Sequence, residues 1–149
     1  MIVMSRTRFG ELTFPVDAEL SFPQGLIGFS SETRFAIVER VGGAVAYLQS
    51  LRTPRLALPV LDATLLAPTY PDEGMASLAA RIDCRTEDLL ALVVIAVSPI
   101  DGGLRANLLA PLLIDASKRR GRQFILDPER YGASVPLGEA PVGETRMVG

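Results

Sequence analysis

Glycine and proline recur along this chain at intervals too short for long helices. Thirteen glycines and eleven prolines break it into brief apolar runs. A doubly wound α/β fold needs long amphipathic helices alternating with strands, and no segment here supplies them. Short runs rich in β-branched and aromatic residues, set between turn signals, point instead to a mainly β fold. The expectation is a small antiparallel β-barrel-like domain with one or two short helical insertions. At 149 residues the chain has the length of one domain, enough to bury a core without disulfides or metal.

Read in order, residues 7–14 roughly alternate and offer Phe9, Leu12 and Phe14 to a core, with an out-of-phase step near Gly10 that predicts a bulge. Residues 34–50 read as a hairpin around Gly42-Gly43, a two-residue loop that tolerates positive φ. Residues 56–63 read as a strand that Pro59, lacking an amide donor, assigns to a sheet edge. Met75, Leu78, Ala79 and Ile82 recur at helical spacing within 72–83, and Thr86 is placed to cap a second helical turn. Residues 89–97 then form a continuous buried strand. Asp101-Gly102-Gly103 turns the chain, residues 104–114 return as a strand broken at Pro111, residues 118–122 form a basic turn, and 123–127 a last strand. The folded domain is expected over residues 1–131, with a Gly/Pro-rich mobile tail over 132–149.

The formal net charge of −2 gives no global field toward nucleic acid or an anionic membrane. Lys118 is the only lysine, and the arginines are scattered rather than clustered. The N-terminus lacks the apolar region and cleavage site of a signal peptide, and the run at 89–97 covers about half of the roughly twenty residues needed to span a bilayer. With Cys84 as the sole cysteine there is no intrachain disulfide. These features lead us to expect a cytoplasmic chain with no membrane and no direct nucleic-acid partner.

Histidine is absent, which removes the Ser-His-Asp and Cys-His arrangements and the commonest general base. Asp62, Asp72, Glu73, Asp83, Glu87, Asp88, Asp101 and Asp115 form no recognisable local motif, and solvated turns and helix starts account for them better than a catalytic pair. Neither glycine pair matches a phosphate-cradling loop. The "KRRGR" cluster at 118–122 lacks interleaved aromatics, so a solvated turn is the better reading. Cys84 has no visible activating partner. No cofactor and no catalysis are expected, so binding is the reading that survives.

Four ordered blocks carry a resemblance. They are "LSFPQGLIGF" followed by "FAIVE", then "YLQSLRTPRLALPVLD", then "NLLAPLLID", then "GRQFILD". In this order and spacing the chain resembles the flagellar assembly factor FliW family. The resemblance implies a compact antiparallel β-barrel-like domain without catalytic function. It further implies a protein antagonist of the dimeric RNA-binding translational regulator CsrA, with flagellin as competing partner, so that flagellin translation follows flagellum assembly.

Candidate protein-binding residues on the matched blocks are Gln24, Phe29, Gln49, Ser50 and Asn107. Gln49 and Ser50 sit where polar side chains either meet a partner or satisfy loop amides, and Asn107 is suited to bond backbone near Pro111. In the corner itself, Phe22, Leu26, Ile27 and Phe29 either plug one end of the barrel or form the rim of an interface, with Gly25 and Gly28 permitting the bend. The chain is expected to be monomeric when free. The alternative is a small-molecule or glycan-binding β-barrel without catalytic activity, which requires a sizeable internal cavity with convergent polar groups.

Overall fold

The computed structural model of the chain describes residues 1–139. Strands β1 (Ile2–Thr7) and β2 (Gly10–Phe14) form a separate hairpin. The others are β3 (Leu20–Ser21), β4 (Arg34–Val38), β5 (Val45–Ser50), β6 (Ala57–Asp62), β7 (Leu89–Val97), β8 (Gly103–Ala106), β9 (Leu112–Asp115), β10 (Arg120–Gln123) and β11 (Val135–Glu139). They make one sheet in the order β11-β8-β7-β6-β5-β4-β3-β10-β9.

The long strand β7 closes this sheet on itself. Its first half, Leu89 to Leu92, pairs with β9, and its last residues, Ile95 to Val97, pair with β8. The ring therefore runs β7-β6-β5-β4-β3-β10-β9 and back to β7, with β8 and β11 as a flap. All its ladders are antiparallel except β10 with β3, a parallel contact at Arg120 and Ser21 next to the bond from Ser21 N to Arg119 O at 2.9 Å. The result is a closed but irregular barrel.

Alternation along the strands sorts the core into layers. Leu20, Phe22, Phe35, Leu48, Val60, Leu92, Leu112 and Ile114 fill the barrel interior. Their sequence neighbours Tyr47, Leu61, Ala91, Val93 and Leu113 belong to an outer core, which helix α1 (Met75–Arg81) covers with Leu78 and the partly buried Met75. The hairpin β1–β2 packs Met4 and Phe14 on Ala36 and Leu51 from another side. Strands such as β5, β7 and β9 are thus buried on both faces, which is why 89–97 reads as an unbroken apolar run.

Several expectations need correction. The segment 7–14 is not one bulged strand: its out-of-phase step at Gly10, φ 85°, ends a turn between two strands. The loop between β4 and β5 spans 39–44 rather than two glycines, because ladder pairing stops at Val38 with Tyr47. Pro59 does not mark an edge, since β6 pairs with β5 on one side and β7 on the other. The β7 ladder begins at Val60, just past the proline, so the missing donor falls outside it. The 3₁₀ turn Thr86–Asp88 has Arg85 at its N-cap without a side-chain bond, so Thr86 caps nothing. Val97 is exposed, so the buried run ends short of it. The last strand of the ring is Arg120–Gln123, which takes in the last three residues of the expected basic turn, while 124–127 is irregular. Val135–Glu139 is a strand on β8 and not a tail; residues 140–149 of the expected tail lie outside the described residues. Among the described residues no helix is long and apolar enough to cross a membrane.

Candidate protein-binding site

The corner at 22–29 closes one end of the barrel and divides its apolar residues between two roles. Phe22 and Leu26 are buried, and Phe22 meets Phe35 edge to face with ring centroids 5.5 Å apart. Ile27 and Phe29 point away from the core and are 57% and 40% exposed. The plug is therefore Phe22 and Leu26, while Ile27 and Phe29 form an apolar tip.

The tip is held by backbone bonds in both directions between Leu26 and Phe29, at 3.1 and 2.8 Å. Gly25 adopts φ 69°, and a β-carbon there would collide with the Ser30 backbone, so the bend requires glycine. Gln123 on β10 anchors the loop from below: its Oε1 accepts from Ile27 N at 2.8 Å and its Nε2 donates to Ala110 O at 3.0 Å. Gly121, one place earlier on the inward face, leaves room for the Phe22 ring. The Gly-x-Gln block thus builds the seat of the corner, a job its sequence alone did not disclose.

The other candidates fall elsewhere. Gln24 is exposed on the corner, beside the tip. Gln49 and Ser50 have no exposure at all, which corrects their assignment as partner contacts. Gln49 Nε2 donates to the carbonyls of Ser50, Pro54 and Leu56 at 2.9, 3.0 and 3.3 Å. Ser50 Oγ donates to Glu32 and accepts from Thr53 N at 2.8 Å and Arg52 N at 3.1 Å. Asn107 is half-buried and accepts from Ala110 N at 3.1 Å, bracing the chain before Pro111. These three residues shape loops through bonds to backbone amides and carbonyls, and of the candidates only Gln24 and Phe29 are exposed.

Glu32, absent from the sequence candidates, organises the adjoining loop. It is 7% exposed and also accepts from Thr53 Oγ1 at 2.6 Å. Burial pushes its carboxyl up, but the Ser50 and Thr53 hydroxyls with nearby Arg52 outweigh that and hold it below the usual carboxylate value.

Several other titratable groups have structural work. Asp62 accepts from Thr64 N at 2.9 Å, Asp101 from Gly103 N at 2.9 Å and Asp115 from Ser117 N at 3.0 Å, each fixing a turn. Asp72 pairs with Arg130, and Glu73 meets Arg81 at 3.3 Å. Burial and then the Asp115 and Asp88 charges push the Cys84 thiol up, away from nucleophilic character. No three His, Cys, Asp or Glu side chains among the described residues are grouped to hold a metal. The barrel interior is filled by Phe, Leu, Val and Ile side chains, which counts against an internal ligand cavity. A hollow of about 290 Å³ reaches Val60 and Leu92 and is lined further by Ile37, Ala46, Leu90, Glu39 and Asp62.

The model of the family described as FliW protein matches residues 3–137. This chain belongs to the FliW family. It is 34% identical over 133 residues to the flagellar assembly factor FliW of Syntrophomonas wolfei, covering 88% of this chain and 85% of that one. It is 33% identical to that of Natranaerobius thermophilus, covering 87% of each. A crystal structure of the flagellar assembly factor FliW superposes with a TM-score of 0.78 at 25% identity, over 94% of this chain and 99% of that one. The FliW match takes in the corner, its Gly121 and Gln123 seat, and strand β11 as far as Leu137.

Proposed function

We propose that this FliW-family chain is a non-catalytic flagellar assembly factor that binds a CsrA-type translational regulator and is held from it by flagellin. The observation that carries the reading is the tip formed by Ile27 and Phe29, exposed apolar side chains on a loop pinned by Gln123. A rigid apolar projection loses little conformational freedom on docking, so more of its burial energy is retained as affinity. Gln24 beside it supplies polar contacts at the rim. Two partners sharing or coupling through this end of the barrel would give the exclusion that an assembly-linked switch requires. The chain works in the cytoplasm, as a monomer when free and without a cofactor.

The test is calorimetric titration against the CsrA-type dimer of the same organism, alone and with a flagellin C-terminal fragment present. A complex lost on adding flagellin supports the switch. Replacing both tip residues, Ile27→Ser with Phe29→Ser, is expected to weaken at least one complex by about tenfold or more. Unchanged affinity for both partners removes the tip from the interface, and failure to bind either removes the reading.

A further inference from the structure

Next to the corner, on the outer face of β10, a cleft of about 280 Å³ opens between the end of α1 and the β9–β10 turn. Lys118, Arg120 and Arg122 line it from one side, Arg81 from the other, and Pro23 and Gln24 of the corner close one wall. Gly121 faces the Phe22 ring inside the barrel, so its neighbours Arg120 and Arg122 are directed outward together. None of Lys118, Arg120 and Arg122 forms an ion pair among the described residues. Two carboxylates offset them. Glu73 meets Arg81 at 3.3 Å, and Asp115 at the floor already accepts from Ser117 N and Lys118 N at 3.0 and 3.2 Å. The cleft keeps an excess of positive charge on a chain whose formal net charge is −2.

We infer that this cleft is a docking site for an acidic protein segment, whose carboxylates meet Arg120, Arg122 and Lys118 while an adjacent apolar residue rests on Ile27. The charge sign selects an anion, and the guanidinium forks match carboxylates in paired geometry. Arg120 and Arg122 stand roughly 6 to 7 Å apart along the strand, which suits carboxylates at alternate positions of an extended segment or one turn apart on a helix. Nucleic acid fits less well. Arg122 already covers the neighbouring Phe124 ring at 4.8 Å from its centroid, and the overall charge exerts no long-range pull on a polyanion. The site adjoins the tip proposed above for partner binding and shares Gln24 and Ile27 with it, so its test is read without either of those partners.

The experiment is fluorescence anisotropy of the full chain with labelled probes of equal length. The probes are a glutamate-glycine peptide with one leucine, the same peptide without leucine, its lysine counterpart, and an oligouridine RNA. The acidic peptides are expected to bind at low salt and release as salt rises, and the lysine peptide to stay free. Arg120→Glu with Arg122→Glu is expected to weaken acidic binding by about tenfold or more. Ile27→Ser should lower affinity only for the leucine-bearing form. If the double reversal lowers the melting midpoint, the exposed single changes Lys118→Glu and Arg122→Gln carry the same comparison. Absence of acidic-peptide binding at low salt, equal binding by folded charge variants, or tighter binding of the RNA overturns the inference.

Discussion

A side chain at position 121 would share space with the Phe22 ring, whose nearest carbons stand 2.7 Å from where a β-carbon would be, with an Ile114 carbon at 2.9 Å. Gly121→Ala therefore overpacks the barrel where a ring and a strand have little room to yield, and we expect a loss of about 1 to 3 kcal/mol in urea unfolding. Glu32 makes a different demand on its surroundings. Its carboxyl titrates below its unfolded value because the Ser50 and Thr53 hydroxyls favour the charged form despite burial. A depressed carboxylate contributes stability that is present above the unfolded pKa of about 4.3 and is lost as pH falls through the lower folded value. The denaturation midpoint of the wild type should thus exceed that of Glu32→Gln near neutral pH. The gap should close as the solution is acidified below the unfolded value, and a gap independent of pH would contradict the assignment.

The corner and its seat behave as a unit that is separable from the tip it carries. Gln123 bonds Ile27 N and Ala110 O, so Gln123→Ala removes one link from β10 to the corner and one to the segment before Pro111, while leaving the barrel interior filled. The expected result is faster hydrogen exchange at the Ile27 amide and a stability loss of about 1 to 2 kcal/mol. Exchange at Ile27 unchanged from the wild type would show that the backbone bonds between Leu26 and Phe29 hold the loop alone. Inside and outside positions of the same element should also separate. Phe22→Ala opens a cavity at the barrel end and should cost about 3 to 5 kcal/mol. Phe29→Ser changes an exposed side chain and should stay within about 0.5 kcal/mol of wild type.

Across the molecule, closure depends on β7 serving three neighbours at once, β6 throughout its middle, β9 at its start and β8 at its end. The barrel interior and the outer core under α1 share this strand, so damage to either core should be felt by the other. Val93→Ala, on the outer face, and Leu92→Ala, on the inner, are expected to lower one common cooperative transition followed by fluorescence and circular dichroism alike. Two separated transitions would mean that the layers unfold independently.

Much of the fold was legible because it rests on local rules. The Gly102 turn, the helix with Leu78 and Ala79 inward, and the strand at 89–97 follow from turn chemistry and periodicity. The family, too, was readable from ordered blocks of residues. The same blocks misled about roles, because a residue type does not disclose its exposure. Gln49 and Ser50 look like surface polar groups, yet they are drawn inside to satisfy the loop backbone at 50–56. The basic run at 118–122 reads as a turn, while its last three residues are strand paired with Asp115, Ile114 and Leu113. Pairing partners, ring closure and the meeting of the corner with Gln123 bring together residues far apart along the chain. The sequence by itself determined the elements whose preferences are written in neighbouring residues, such as strand β7, helix α1 and the Gly102 turn. The tertiary structure alone decided which faces stay wet, because burial is set by what packs from elsewhere in the chain.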